Sequence, residues 1–297
     1  MNFMKWSWLY FLISLLVIIP GIVSLTLFGL KPSIDFTGGS LLEVNFTEIT
    51  QDKELSVAGL EENLQDLYEL SSIQQSGDNK IILKGKHISN ELKNEVLDLL
   101  ATEYGVVVEE RFETVGPSLG QELLRKTLTG VAIAAVLIMI YVWVQFSELK
   151  YGVSAILAMF HDSIILLGIF SLLGYFYGTE VDMLFVTALL TTLSFSVHDT
   201  IVVYDRIREL KRKYPRYELV TLVNTAVTET LSRSINNSVT IIIMLSALAM
   251  LGGDTIRWFA IALLVGAVTG TYSSTFTAAP LLLLWDDLAE KLQKKKK

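Results

Sequence analysis

The sequence predicts a polytopic α-helical membrane protein, with six transmembrane helices that carry one extracytoplasmic α+β domain. Hydrophobic residues make up 52% of the 297 residues, and they are strongly clustered along the chain. Six stretches carry almost no charge, and each approaches the ~20 apolar residues that a helix needs to cross a ~30 Å hydrocarbon layer. Between the first two stretches, Asp and Glu crowd the segment 35–122. These two features define the predicted architecture.

The first apolar stretch runs from about Trp8 to Leu30. Because Lys5 precedes it, a secretory signal peptide is the alternative to a membrane helix. The stretch is too long for a signal peptide, and no small-x-small cleavage site follows it. Lys31-Pro32 then leads directly into sequence typical of a folded domain. We therefore expect an uncleaved membrane anchor.

The remaining apolar stretches predict five further membrane helices. They lie near residues 128–146, 152–175, 183–204, 235–251 and 256–285. The predicted organisation is a first transmembrane helix, an extracytoplasmic domain, a five-helix membrane domain and a basic cytoplasmic tail, over residues 1–30, 31–126, 127–285 and 286–297.

The charges predict the orientation of the chain, although the net charge of −7 hides their uneven distribution. Basic residues follow the fourth and the sixth span, at Arg206, Arg208, Lys211, Arg212, Lys213, Arg216, Lys291 and Lys294 to Lys297. By the positive-inside rule these segments are cytoplasmic, which places both termini inside and residues 31–126 outside. We interpret the basic runs as this topological signal, and we expect contact with the lipid bilayer but no nucleic-acid partner.

The external segment shows the periodicities of a small α+β domain. Residues 41–47 alternate as a half-buried strand does, and Leu55 to Leu70 repeats apolar residues at helical spacing. Two more strands, at 73–75 and 80–84, flank a turn at Gly77-Asp78-Asn79. A second helix from Ser89 to Tyr104 and a last strand at 106–113 complete the pattern. The order β-α-β-β-α-β is that of a ferredoxin-like domain.

The residue types argue against enzymatic chemistry. The chain contains no cysteine, so disulfides and thiolate metal sites are excluded. A His-Glu-x-x-His zinc motif, a Walker phosphate loop and the Gly-x-Gly-Asp motif of intramembrane aspartyl proteases are all missing. We therefore expect no metal or cofactor, and an ion gradient or a partner protein as the energy source.

Two aspartates fall inside predicted spans and are the main functional candidates. An ionisable group in the hydrocarbon layer costs at least ~2.5–3.5 kcal/mol, so it is retained mostly for function. Asp162 lies ~10 residues, hence ~15 Å, into the third span. Asp199 lies near the cytoplasmic end of the fourth span, and a histidine precedes each aspartate: His161 and His198.

Arg233, at the cytoplasmic end of the fifth span, is the natural counter-charge for Asp199. While paired, each group keeps the other ionised, and a carboxylate that loses its partner in low dielectric takes up a proton. The pair therefore couples protonation to helix movement in one interpretation. In the other, it is a static ion pair that fixes helix packing, and spacing alone favours neither.

Several motifs spread along the chain resemble one family: SecF, the smaller subunit of the SecD/SecF accessory complex of the bacterial Sec translocase. They are Ile34 to Gly39, Val115 to Pro117, His161-Asp162, Ser196 to Glu209, Leu231 to Asn236 and Gly270 to Ser274. The run from Ser196 to Glu209 is the most specific. Within the first motif, we interpret Gly38 and Gly39 as a turn with backbone angles that other residues avoid.

The resemblance implies a resistance-nodulation-division architecture, in which six spans form half of a twelve-span unit and SecD, a separate chain, supplies the other half. It further implies proton-driven completion of protein export, in which a preprotein is drawn from the SecYEG channel after SecA has acted, in the bacterial inner membrane. Asp199 and Arg233 match the family's proton-pathway residues. Asp162, His198 and Thr200 are further candidates for that pathway.

Two other functions stay open at this point. A proton-driven exporter of lipids or small molecules has the same architecture, although it usually needs twelve spans in one chain. A structural subunit that stabilises SecD or the channel without conducting protons is the second alternative. Substitution of Asp199 by asparagine separates a motor, which loses export while assembly survives, from a scaffold.

Overall fold

The computed structural model describes residues 2–49, 56–65, 67–75, 79–146 and 148–295. The chain divides into two compact units, one formed by Met1–Lys31 with Thr129–Lys297 and the other by Pro32–Leu128. Parts of three predicted features lie outside the described residues: Leu55 of the first external helix, Gly77 and Asp78 of the turn, and Lys296 and Lys297 of the basic tail.

Helices dominate both units, and strands occur between Gly39 and Val115. The helices are α1 Ser7–Leu27, α2 Ile34–Thr37, α3 Val57–Leu64, α4 Asn90–Tyr104, α5 Pro117–Gln145, α6 Leu149–Tyr177, α7 Met183–Lys213, α8 Leu219–Leu251, α9 Asp254–Ser273 and α10 Ala279–Lys295. A 3₁₀ turn, Phe3–Trp6, precedes α1, and a π-helix, Ser274–Ala278, separates α9 from α10. The strands are β1 Gly39–Ile49, β2 Leu70–Gln75, β3 Lys80–Gly85 and β4 Gly105–Val115.

Six helical segments of the described chain are long and apolar enough to cross a membrane. They are Phe3–Leu27, Pro117–Gln145, Leu149–Tyr177, Met183–Lys213, Leu219–Leu251 and Ile256–Leu288. The predicted number of membrane helices is therefore confirmed.

Three of these helices are much longer than the predicted spans, and the first of them, α5, begins at Pro117 rather than near residue 128. The fourth span was expected to end near residue 204 and the fifth to begin near 235, whereas α7 continues to Lys213 and α8 begins at Leu219. Hydropathy detects only the part of a helix that lipid covers, while backbone hydrogen bonds continue the helix into water. The basic segment between the two spans is thus mostly helical, and residues 214–218 connect the helices.

Small residues bring the membrane helices together. A Cβ atom built on Gly168 of α6 would lie 2.5 Å from the Cα atom of Gly21 in α1. One built on Gly266 of α9 would lie 1.8 Å from Cγ2 of Thr192 in α7. Only a glycine at position 266 allows the two helices to approach so closely.

The sixth span contains an irregular turn next to a proline. The π-helix Ser274–Ala278 ends just before Pro280, and α10 continues the span. The phenol of Tyr204 in α7 donates to the carbonyl oxygen of Ala278 at 2.8 Å, so the end of the π-helix is tied to a neighbouring helix. Single π-turns inside α-helices often mark functional regions.

The unit Pro32–Leu128, called the external unit below, has the predicted ferredoxin-like order of strands and helices. Its described strands form an antiparallel sheet in the order β2-β3-β1-β4. One face of the sheet packs on α3 and α4. The core between them is apolar and contains Leu42, Val44, Phe46, Leu60, Leu64, Tyr68, Ile81, Leu83, Val96 and Leu100.

The two glycines at the start of β1 have the backbone angles that the sequence predicts. Gly38 has φ 74° and Gly39 has φ 124°, in the region where a side chain is strained. A Cβ atom on Gly39 would also lie 2.5 Å from the carbonyl oxygen of Gly85 in β3. The pair therefore forms the turn that leads from the membrane anchor into the sheet.

The contact of α7 with α9 predicts a clear effect of one added methyl group. We expect Gly266→Ala to lower the free energy of unfolding by about 1–3 kcal/mol, because the Cβ atom overlaps Thr192. Gly130→Ala in α5 is the control, since its Cβ atom would meet nothing within 4 Å. Thermal denaturation in detergent measures the stability of both variants. Equal denaturation midpoints would contradict the close contact between Gly266 and Thr192.

Burial of Tyr68 makes the stability of the external unit depend on alkaline pH. Its phenol donates to the carbonyl oxygen of Ser40 at 2.9 Å, and burial raises the pKa of Tyr68 to about 12 from its ordinary value of 10.0. Because the folded pKa is the higher one, this contribution is complete below pH 10 and is lost as pH rises towards 12.

We therefore expect the wild-type external unit to lose more stability between pH 10 and 12 than Tyr68→Phe does. Below pH 10 the variant should be less stable by about 0.5–1.5 kcal/mol, the net contribution of one hydrogen bond. Pulse proteolysis of the full chain in urea, with a protease active at alkaline pH, measures both. Parallel pH profiles for the two proteins would refute the assignment.

Candidate functional site

A cavity between α7 and α8 contains Asp199, one of the two intramembrane aspartates. Asp199 is buried, with 7% of its surface exposed, and its carboxylate accepts a hydrogen bond from Oγ of Ser234 at 2.7 Å. The cavity has a volume of about 290 Å³. It is lined by His198, Asp199, Val202, Val203, Thr230, Arg233, Ser234 and Asn237. A cavity of this size with several polar side chains in its lining has room for several water molecules beside Asp199.

Arg233 shares this cavity with Asp199 without touching it. In the part of the chain that the structure describes, no ion pair within 4.0 Å joins the two side chains, and the direct partner of the carboxylate is Ser234. Arg233 is exposed. The predicted counter-charge, Arg233, thus lines the same cavity as Asp199 but forms no ion pair with it. Both interpretations of the pair, as a mobile coupling element and as a static packing contact, stay predictions.

The other candidates near Asp199 divide between two sides of α7. His198 is exposed and lines the cavity, whereas Thr200 is wholly buried and does not. The hydroxyl of Thr200 has no hydrogen-bond partner among the described residues. The structure therefore groups His198 with Asp199 and Arg233, and it places Thr200 on a different face.

Asp162 lies in a separate, closed network. Its carboxylate is 4% exposed, and Nδ1 of His161 donates to Oδ1 at 2.8 Å. The hydroxyls of Ser196 in α7 and Ser273 in α9 both donate to Oδ2 at 2.5 Å. On the far side of the imidazole, Nε2 of His161 bonds to Oγ of Ser14 in α1 at 2.9 Å. Side chains of α6, α7 and α9 thus meet at one buried carboxylate, and α1 joins this network through His161.

The serines that bond to the two aspartates and to His161 were not predicted from the sequence. Ser14, Ser196, Ser234 and Ser273 did not enter the prediction as site residues. A hydroxyl in an apolar span can bond to its own helix, so it does not stand out as a charge does. The available signal was their spacing, since Ser196 precedes Asp199 by three residues and Ser234 follows Arg233 directly.

Three polar side chains that line the cavity are also exposed at the surface. They are His198, Arg233 and Asn237, within helices that are apolar enough to span a membrane. Such groups are costly against lipid and normally face protein or water. The surface around them is therefore suited to contact with another membrane protein.

Two family models match this chain. "Protein export membrane protein SecD/SecF, C-terminal" matches residues 96–288, which include both aspartates and Arg233. "SecD/SecF GG Motif" matches residues 23–48, which include Gly38 and Gly39.

Curated relatives match over most of the chain. The Protein translocase subunit SecF of Anaerolinea thermophila is 39% identical over 292 residues, covering 96% of this chain and 94% of the relative. The Protein translocase subunit SecDF of Bacillus subtilis is 34% identical, and there the match covers 95% of this chain but 38% of the relative.

Solved structures give the same result. The crystal structure of SecDF from Thermus thermophilus, described as a translocon-associated membrane protein, matches with a TM-score of 0.85 and 33% identity over 97% of this chain. A structure of SecDF in a super-membrane-facing form matches with a TM-score of 0.72 and 31% identity. The chain spans 39% and 40% of these two proteins.

Proposed function

This chain belongs to the SecD/SecF family of protein-export membrane proteins, and from that premise we propose that it is the SecF subunit of a protein translocase. In this proposal it uses the proton motive force, together with SecD, to complete the export of preproteins through SecYEG after SecA has acted. The observation that carries the proposal is the cavity that buried Asp199 and exposed Arg233 both line without forming an ion pair.

The arrangement at this cavity suits a carboxylate that changes its protonation state. Asp199 has one fixed hydrogen-bond donor, Ser234, and its remaining surroundings include the cavity and Arg233. An ionised carboxylate attracts the guanidinium, and protonation removes that attraction. Each proton that binds and leaves would therefore change the force between α7 and α8. This is how one residue pair can drive helix movement without ATP or a covalent step.

The partner in this proposal is a separate SecD chain. In the SecDF of Bacillus subtilis the matching segment makes up 38% of the length and is joined to a larger remainder, whereas the SecF of Anaerolinea thermophila matches over 94% of its own length. The exposed polar side chains that line the cavity, among them His198 and Asn237, also favour a protein neighbour over lipid. We propose that the membrane part of SecD covers this surface.

We further propose that the chain lies in the bacterial inner membrane with both termini in the cytoplasm. The basic residues after the fourth and sixth spans support this orientation through the positive-inside rule. The external unit, Pro32–Leu128, then lies on the extracytoplasmic side, where an exported polypeptide emerges.

The central test is Asp199→Asn. The substitution keeps the size and a hydrogen bond to Ser234 but removes the exchangeable proton. We expect loss of the gradient-dependent part of export, measured as translocation of a secreted protein into membrane vesicles that contain SecD, SecYEG and SecA. Association with SecD should be unchanged.

The matched control is Asp205→Asn, six residues further along α7. The carboxylate of Asp205 is exposed and pairs with Arg208 at 3.2 Å, so the same chemical change should leave export intact. Unchanged export in Asp199→Asn would assign the chain a scaffolding role. Loss of SecD association would show that the substitution disrupts assembly.

The orientation can be tested with single cysteines, because the native chain has none. We expect an impermeant maleimide added to bacteria with a permeabilised outer membrane to label Glu61→Cys, in the exposed surface of α3. Arg216→Cys, in the exposed connection between α7 and α8, should react only after the inner membrane is opened. The reverse labelling pattern would invert the proposed topology.

A further inference from the structure

The closed network at Asp162 is not explained by the proton site at Asp199. Its carboxylate is bonded to His161, Ser196 and Ser273 within the described structure, and Asp162 is not among the residues that line the cavity. The network joins α6 to α7 and α9 through hydroxyls on two different helices. We infer that Asp162 and His161 form a positioning site that fixes the rotation of α7, and thereby the direction in which Asp199 faces.

The helical geometry of α7 links the two sites. Ser196 and Asp199 are three residues apart, which on an α-helix separates their directions by about 60° and their heights by about 4.5 Å. Ser196 points to Asp162 in α6, while Asp199 points to Ser234 in α8. A rotation of α7 about its axis would move both side chains together. Holding Ser196 therefore holds Asp199 toward the cavity.

The packing beside Ser196 gives the network its rigidity. A Cβ atom on Gly270 of α9 would lie 3.3 Å from the Cα atom of Ser196, so the two backbones are in close contact at this level. One turn away, Gly266 meets Thr192 in the same way. Ser273 is the last residue before the π-helix and donates to the same oxygen, Oδ2, as Ser196 does. The carboxylate of Asp162 therefore links α7 and α9, whose backbones are already in close contact.

The chemistry of the network makes a distinctive prediction for asparagine at position 162. Its amide oxygen can accept from His161, and its two N–H groups can donate to the hydroxyl oxygens of Ser196 and Ser273. The hydroxyl hydrogens can turn to other acceptors, and Ser273 already lies 3.3 Å from the carbonyl oxygen of Gly270. Asparagine thus preserves the link between α7 and α9 and removes the titratable proton. A positioning group tolerates this change, whereas a proton carrier does not.

The first test compares two variants in the export assay, and it rests on the proposed function. We expect Asp162→Asn to retain gradient-dependent export within about twofold, because the number of hydrogen bonds is kept. Asp162→Ala should lower it roughly tenfold or more, since small displacements of a reacting group have large effects on rate. Loss of export in Asp162→Asn as complete as in Asp199→Asn would overturn the inference and make Asp162 a proton carrier.

The second test measures the rotational orientation of α7 and does not depend on export. Val202→Cys lies in the cavity lining and can be labelled with a small water-soluble methanethiosulfonate reagent, in the full chain assembled with SecD in vesicles. We expect the labelling rate to change several-fold with Ser196→Ala and to stay constant with Asp162→Asn. Ser163→Ala is the control, because its hydroxyl donates to the carbonyl oxygen of Met159 within α6.

The two tests separate failure of the inference from failure of the proposed function. If Asp199→Asn exports normally, the proton motor is wrong, and the labelling of Val202→Cys still decides whether Asp162 positions α7. If Asp162→Ala does not assemble, Ser196→Ala provides the same comparison with one hydrogen bond removed. Equal labelling rates in Ser196→Ala and Ser163→Ala would overturn the positioning role.

Discussion

Within a hydrocarbon layer a charged side chain must find its partners in the protein, and the two intramembrane aspartates meet this constraint in opposite ways. Asp162 is enclosed by donors from its own and neighbouring helices, with hydrogen bonds of 2.5–2.8 Å. Asp199 has one hydroxyl partner and opens to a cavity that an arginine also lines. A carboxylate enclosed by hydrogen-bond donors is suited to holding helices in place, whereas one that borders a cavity is suited to proton exchange with water.

The small residues of the membrane unit are what make the closed network feasible. Hydroxyls reach a carboxylate on another helix only if the helix backbones approach closely. Gly266 and Gly270 provide that approach between α7 and α9, and Gly21 with Gly168 provides it between α1 and α6. The glycines and the serines therefore act together, since packing brings the helices near enough for the polar bonds that then fix their orientation.

The sequence predicted the external unit and the number of spans well, because both depend on patterns that burial imposes directly. Alternation in residues 41–47 and helical spacing around Leu60 and Leu64 correspond to β1 and α3. The C-terminal end of α7 and the N-terminal ends of α5 and α8 were not predicted, since a helix that leaves the membrane keeps its backbone bonds while losing its hydropathy signal.

The candidate site was predicted only in its charged members. Asp199, Arg233 and His198 line one cavity, whereas Thr200 and Asp162 lie elsewhere. Which face a residue occupies depends on the rotation of each helix, and single positions such as Ser196 or Ser234 do not reveal it. A span with polar residues on two faces, as in α7, has no dominant apolar stripe from which the rotation could be read.

The length of α7 turns a small local motion into a larger remote one. Asp199 lies fourteen residues before Lys213, the end of the helix, which is a distance of about 21 Å at 1.5 Å per residue. Treated as a stiff lever pivoting at Asp199, the helix converts a tilt of about 5° into a shift of about 2 Å at its basic tip. The connection at 214–218 is short, so such a displacement of α7 would be passed on to the start of α8.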